Sequence, residues 1–323
     1  MKKLVSIIVL FFSLQLIFGK ENKIEINADA TLGASNSTVK EILYDKKGKD
    51  AETLSLLEWQ NFVSPCITAN ADLIIYDKFY LSIGGLYTLP LSYGKMQDYD
   101  WANLLSTGGK EQTHYSKHDN KINSKYFLDI DAGTVLNIAP QIRLIPFISF
   151  KYSYYSFTAQ NGYKQYGKKI GTQNDYDVRE PWNSSIEKIP MTGKIITFQN
   201  QDFYLGAGAI FDFSITPKID LNLGLTLLPS LKSQSMDFHH KRDLYTFFSY
   251  ESKLEFDTSL LLEYKITDSS RFTTGLCFSY AKSGIAEISQ SSDKIEWYGN
   301  SNPGRIISRD LNFQLGYTYK YEK

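Results

Sequence analysis

Histidine is scarce in this chain: His114, His118, His239 and His240 are the only four in 323 residues. Two short segments therefore stand out, Asp98-Tyr99-Asp100-Trp101 and Asp237-Phe238-His239-His240. In an extended strand, residues two apart point to the same face. Asp98 and Asp100 would then form a side-by-side carboxylate pair, and Asp237 would flank His239. A carboxylate next to a histidine orients the ring and raises its basicity. Two nearby carboxylates can hold and polarise a water between themselves and the imidazole. The same residues would also make an ordinary solvated rim where a strand meets a loop, and spacing alone favours that plainer reading.

Other chemistry has little support. There is no Gly-x-Ser-x-Gly, no His-Glu-x-x-His, no phosphate loop and no complete Gly-x-Gly-x-x-Gly. Cys66 and Cys277 are too few for a disulfide framework. They are expected as buried small residues, with one long-range disulfide as the alternative. No Cys/His spacing suggests zinc, and no cofactor is expected. Formal net charge is zero, which gives no reason to expect nucleic acid.

The elements that must carry these residues are strands. Leu221, Leu223 and Leu225 alternate with Asp220, Asn222, Gly224 and Thr226. Leu128, Ile130 and Ala132 oppose Asp129, Asp131 and Gly133, and the same alternation recurs at 254–262 and 272–280. Ten strands are expected, at roughly 24–44, 52–75, 79–101, 122–138, 142–166, 193–215, 218–239, 244–266, 271–289 and 305–321. Short turns at Tyr76-Asp77-Lys78, Ala139-Pro140-Gln141, Thr216-Pro217-Lys218 and Asp268-Ser269-Ser270 alternate with longer polar segments at 45–51, 102–121, 160–192, 240–243 and 284–304.

The N-terminus sets the compartment. Met1-Lys2-Lys3 precedes an apolar run from Leu4 to Phe18, then Gly19. This reads as a signal peptide over residues 1–19, leaving residues 20–323 as a single domain. An exported chain with 23 tyrosines and no later apolar run is a soluble β protein or an outer-membrane barrel. Carboxylates repeated on strand faces favour a wet lumen with the apolar face in lipid. The fold expected is a ten-stranded antiparallel transmembrane β-barrel with long extracellular loops.

Several stretches, in chain order, resemble the omptin family of outer-membrane surface proteases. Gly94-Lys95-Met96-Gln97-Asp98-Tyr99-Asp100-Trp101 is similar to the family's Asp-x-Asp-Trp segment, and Met236-Asp237-Phe238-His239 to its Asp-x-His. Tyr155-Ser156-Phe157-Thr158-Ala159-Gln160-Asn161-Gly162, Ser116-Lys117-His118, Leu57-Glu58-Trp59 and Thr38-Val39-Lys40-Glu41 also resemble family segments. The resemblance spans the mature chain. It implies an endopeptidase acting on polypeptides in the outer membrane, with its site facing the cell exterior and neither a covalent intermediate nor a metal. Carried over, Asp98 and Asp100 would polarise the attacking water, His239 would be the base, and Asp237 its orienting partner. Glu41 would bind a basic substrate residue. The family's second acid there falls on Ser235, which weakens that preference. Omptins also depend on lipopolysaccharide, but the charged positions that hold it fall on Tyr152 and Tyr154, so that dependence becomes doubtful. The alternative is a non-catalytic barrel, an adhesin or a porin-like protein, although so narrow a lumen should be filled by side chains.

Parity tests the assignment. Phe79, Leu81 and Ile83 toward lipid put Asp98 and Asp100 in the lumen, and Ile24 and Ile26 toward lipid put Glu41 there. Strict alternation from Leu221 would send Asp237 and His239 outward. A bulge near Pro229 is required to reset that register.

Overall fold

The computed structural model describes residues 23–46, 48, 50–91 and 94–322. The expected signal peptide lies outside them. Strands follow in the order β1 (Ile24–Tyr44), β2 (Thr53–Ile75), β3 (Phe79–Thr88), β4 (Gly94–Asp100), β5 (His114–Thr134), β6 (Leu136–Ala139), β7 (Ile142–Tyr166), β8 (Lys169–Gln173), β9 (Tyr176–Arg179), β10 (Ile189–Pro190), β11 (Lys194–Thr216), β12 (Ile219–His239), β13 (Leu244–Tyr250), β14 (Lys253–Lys265), β15 (Ser270–Ser283), β16 (Ala286–Ser291) and β17 (Tyr298–Glu322). Only one helical turn, Asn103–Ser106, accompanies them among the described residues.

Seventeen segments exceed the ten strands expected because several walls are interrupted. β3 and β4 both lie between β2 and β5, β13 and β14 both pair with β12, and β15 and β16 both pair with β17. Neighbours are antiparallel throughout, and β1 pairs with β17 as well as β2, so the sheet closes into a barrel. Closure leaves no unpaired edge in lipid. β8 and β9 form a separate hairpin.

The walls are long. β7 and β17 have 25 residues each, against about 9–11 needed to cross hydrocarbon. The lower part carries the outward apolar belt: Ile26, Leu32, Ile67, Leu81, Ile83, Leu128, Ile130, Phe150, Leu260, Leu276 and Phe313 are all exposed. At that end the connections are short, and Tyr76 and Asp77 take positive φ (57° and 53°) to turn β2 into β3. The upper walls run further than the loops expected there. β5 starts at His114, inside the segment read as a 102–121 loop, and β16 with the start of β17 occupies much of 284–304. Above the belt the outer face no longer borders lipid, so the hydrogen-bonded ladder continues where the outward apolar residues have faded.

Between belt and upper barrel the register shifts. β12 inserts one residue between Tyr204↔Ser230 and Phe203↔Lys232, leaving Leu231 and Lys232 both exposed. Below it Asp220 and Leu228 are buried; above it Ser233, Ser235 and Asp237 are. The lumen face passes from even to odd residues, as the bulge expected near Pro229 requires. β2 makes a similar change at Phe62 and Val63, and β5 at Asn123.

The lumen is layered. At the short-turn end a cavity of about 780 Å³ is lined by Glu25, Asp72, Asp131, Arg143, Glu263 and Arg271 among others. Above it buried ion pairs cross the barrel, with Lys151 reaching Glu255 and Asp257 at 2.5 and 2.7 Å, and Lys253 reaching Asp202 at 2.6 Å. Over these lies an apolar plug around Trp59, Tyr155, Phe157, Phe198 and Phe248. Trp59 stacks on Phe198 at 5.6 Å, and Tyr155 on Phe157 at 5.3 Å. The filling expected of a narrow barrel thus holds in the upper half and not at the lower end. Cys66 and Cys277 are free.

Candidate active site

Above the plug, at the long-loop end, a cleft of about 250 Å³ is lined by Glu41, Ser55, Leu57, Asp98, Asp100, Asp237, His239, Arg242 and Phe248 among others. Every residue singled out for chemistry is here. Glu41 on β1 and Asp98 on β4 are both in register with Leu57 of the intervening β2. Asp100 follows two residues on, beside Ser55. Asp237 and His239 come from β12, paired with Phe198 and Ile196 of β11. The two acidic segments thus reach one cleft from separate walls.

Burial governs its electrostatics. Ionising a carboxyl out of water is costly, and neighbouring acids add repulsion. Asp98 is pushed well above the ordinary carboxylate range by burial and then by Asp100. Asp100 is raised by burial, with Ser55 opposing the shift. Burial lifts Asp237 to about 7. Glu41 is raised well above its usual value, first by burial and then by Asp237. One Glu41 oxygen accepts from Trp59 Nε1 at 2.5 Å. Among the described residues the other, Oε2, and Asp237 Oδ1 have no donor from any other group, and the two side chains hydrogen-bond to each other when one carboxyl carries a proton. Two such facing acids hold a proton between them rather than ionise together. His239 moves the other way: burial, then the charge of Arg242, lower it to about 3, so its ring is neutral at physiological pH.

The ring's partner differs from the one expected. Arg242 Nη2 donates to His239 Nδ1 at 2.5 Å, where Asp237 was the expected orienting group. The cause is local. β12 ends at His239, and the Arg242 amide bonds the His239 carbonyl at 3.1 Å, closing a turn that returns the guanidinium to the ring. An arginine three residues beyond a strand-end histidine was the available signal.

The remaining histidines do not line the cleft among the described residues. His118 Nδ1 donates to the Asn161 carbonyl while Nε2 accepts from Ser116 Oγ at 2.8 Å. His114 packs edge-on to Tyr166, and His240 Nε2 meets Thr197 Oγ1 at 2.9 Å. The Tyr155–Gly162 stretch supplies the plug, then bulges at Asn161 and Gly162. Gly162 has φ +95°, and a Cβ there would meet the Lys117 carbonyl at 2.0 Å. Ser235 is buried, hydrogen-bonded to the Tyr250 hydroxyl at 2.8 Å, and is not among the described residues lining the cleft. Tyr152 and Tyr154 lie in an aromatic cluster with Tyr126 and Phe203.

Residues 22–321 match the family model described as the Omptin family. The chain belongs to the omptin family. Its fold is similar to the crystal structure of the outer membrane protease OmpT from Escherichia coli, with 18% identity over 92% of this chain and 97% of that one and a TM-score of 0.74. The outer membrane protein OprG from Pseudomonas aeruginosa aligns over 94% and 97% of the two chains at 8% identity, with a TM-score of only 0.36. Comparison with curated protein sequences finds no match. Family and fold together support an outer-membrane protease.

Proposed function

We propose that this omptin is a surface endopeptidase that hydrolyses peptide bonds by direct attack of water, in a cleft open to the cell exterior. The observation carrying this reading is the meeting of Asp98 and Asp100 with Asp237 and His239 around one cavity. A neutral His239 can accept a proton. Asp98 and Asp100 are placed to hold a water, with one carboxyl protonated and one ionised. The water oxygen bonds to the scissile carbonyl carbon as its proton passes to His239. That proton then goes to the leaving nitrogen as the C–N bond breaks. Asp237 acts electrostatically, stabilising the imidazolium that forms.

Glu41 is the proposed contact for a basic substrate residue. It is held neutral by burial and by Asp237, so an arriving cation must first draw out its proton. With Ser235 turned to Tyr250, no second acid shares the task. The preference for Arg or Lys is therefore weak. Lipid surrounds the belt, and the tyrosines at 152 and 154 argue for activity without lipopolysaccharide. The apolar plug speaks against a porin.

The test is a peptide-library digest by the membrane-reconstituted protein and its Asp98→Asn, Asp100→Asn and His239→Asn variants. Loss of a general base costs roughly 10²–10⁴-fold, so the His239 variant should lose about that much. Folded parent protein that cleaves nothing, or variants that cleave like the parent, would overturn the reading.

A further inference from the structure

A neutral imidazole has one nitrogen lone pair to offer. In His239 that pair is on Nδ1 and is already engaged, because Arg242 donates to it at 2.5 Å. The ring's own proton is then on Nε2. A base in this state can accept no proton from water until the Arg242 bond breaks. The arginine is well placed for such a role. It sits on the exposed turn joining β12 to β13, and the guanidinium reaches the cleft from its rim.

What would draw Arg242 away follows from its partners. The carboxylates of Asp98, Asp100 and Asp237 sense its charge. Among the described residues none of them forms an ion pair with it at contact distance, and its side-chain hydrogen bond is to the ring. A guanidinium prefers a carboxylate, which takes two parallel charge-assisted bonds, to a single neutral nitrogen. The cleft's own acids are fixed on strands and do not reach it. A carboxylate on an entering peptide can.

We propose that Arg242 is a latch on the catalytic base, and that an acidic side chain of the peptide substrate, near the scissile bond, releases it. Arg242 is thus a positioning and specificity residue that acts through His239. The proposal rests on the peptidase reading above. It adds an acidic determinant at the rim of the cleft, separate from the basic residue that Glu41 would meet deeper in.

Two measurements on the full-length reconstituted protein decide it. The first is the ¹⁵N shift of the His239 imidazole, assigned by its loss in His239→Asn. The parent should show Nδ1 unprotonated and hydrogen-bonded, and Arg242→Gln should lose that signature. The second is kcat/KM on peptide pairs differing by one glutamate or glutamine at each position flanking the cleavage site. At one position the parent should prefer glutamate roughly tenfold or more, the equivalent of one charge-assisted hydrogen bond. Arg242→Gln should cleave both twins equally, and the glutamine twin faster than the parent does. Arg242→Lys should keep part of the preference. A preference that survives in Arg242→Gln, or a parent ring protonated on Nδ1, overturns the latch. If the parent cleaves neither twin the peptidase reading fails, and the ring shift still decides the latch.

Discussion

The pair formed by Asp202 and Lys253 offers a quantitative test of how the barrel holds its cleft. Both side chains are about 1% exposed, and the ammonium lies 2.6 Å from the carboxylate. Asp202 also accepts from Asn200 Nδ2 at 2.6 Å and Ser233 Oγ at 2.5 Å. The Lys253 amide donates to Ser230 Oγ at 2.8 Å, beside the inserted residue that turns Asp237 and His239 inward. Lys253→Met removes the cation and leaves a buried carboxylate with two neutral donors. Breaking a buried pair on one side costs about 3–5 kcal/mol, because the remaining charge is uncompensated. Two neutral hydrogen bonds, already made, offset none of that loss. Urea unfolding in detergent micelles should therefore show Lys253→Met less stable by about 3–5 kcal/mol. Asp202→Asn combined with Lys253→Met removes both charges while keeping an acceptor for Ser233, and should recover most of the loss. If Lys253→Met unfolds at the parent's urea concentration, or if the double variant is no more stable than the single one, the pair does not anchor this level of the barrel.

Four further outcomes are expected. The kcat/KM profile should rise with pH through about 7, the value to which burial lifts Asp237, and show no titration of His239 in that range, since its ring is already neutral above about 3; Asp237→Asn should shift or abolish the rise. The same raised carboxyl contributes stability that is present below the ordinary carboxylate range and lost as pH rises through about 7, so Asp237→Asn should reduce the difference in urea resistance between pH 5 and pH 8 (about two units below and one above that value). Glu41→Gln should flatten any preference for Arg or Lys while cleavage persists; an unchanged cleavage profile would make Glu41 a lumen-wall carboxyl only. Lipopolysaccharide added to detergent-purified protein should leave turnover unaltered, and strong stimulation would count against the reading of Tyr152 and Tyr154.

Much of this architecture can be read from periodicity. The belt is legible because Leu221, Leu223 and Leu225 must face lipid while Asp220 and Asn222 must not. Parity then carries Asp98, Asp100 and Glu41 to the lumen without further information. The same parity demanded an irregularity before Asp237, and the insertion at Leu231 supplies it. Above the belt the alternation fades. His114 to His118 pair with β4 and β7 although their residues read as a loop, since a wall whose outer face no longer borders lipid needs no apolar alternation. Arg242 escaped for a different reason. Its importance arises from the conformation of a tight turn, which alternation does not encode.

The apolar plug has a consequence for the membrane as a whole. Trp59, Phe157 and Phe198 fill the bore between the cleft and the cavity at the short-turn end. The barrel is therefore a blind tube. Whatever enters the mouth must leave by it, so product escape competes with substrate arrival at a single doorway. The tube should also carry no current: inserted in quantity into a planar bilayer, it is expected to leave the conductance of that bilayer unchanged.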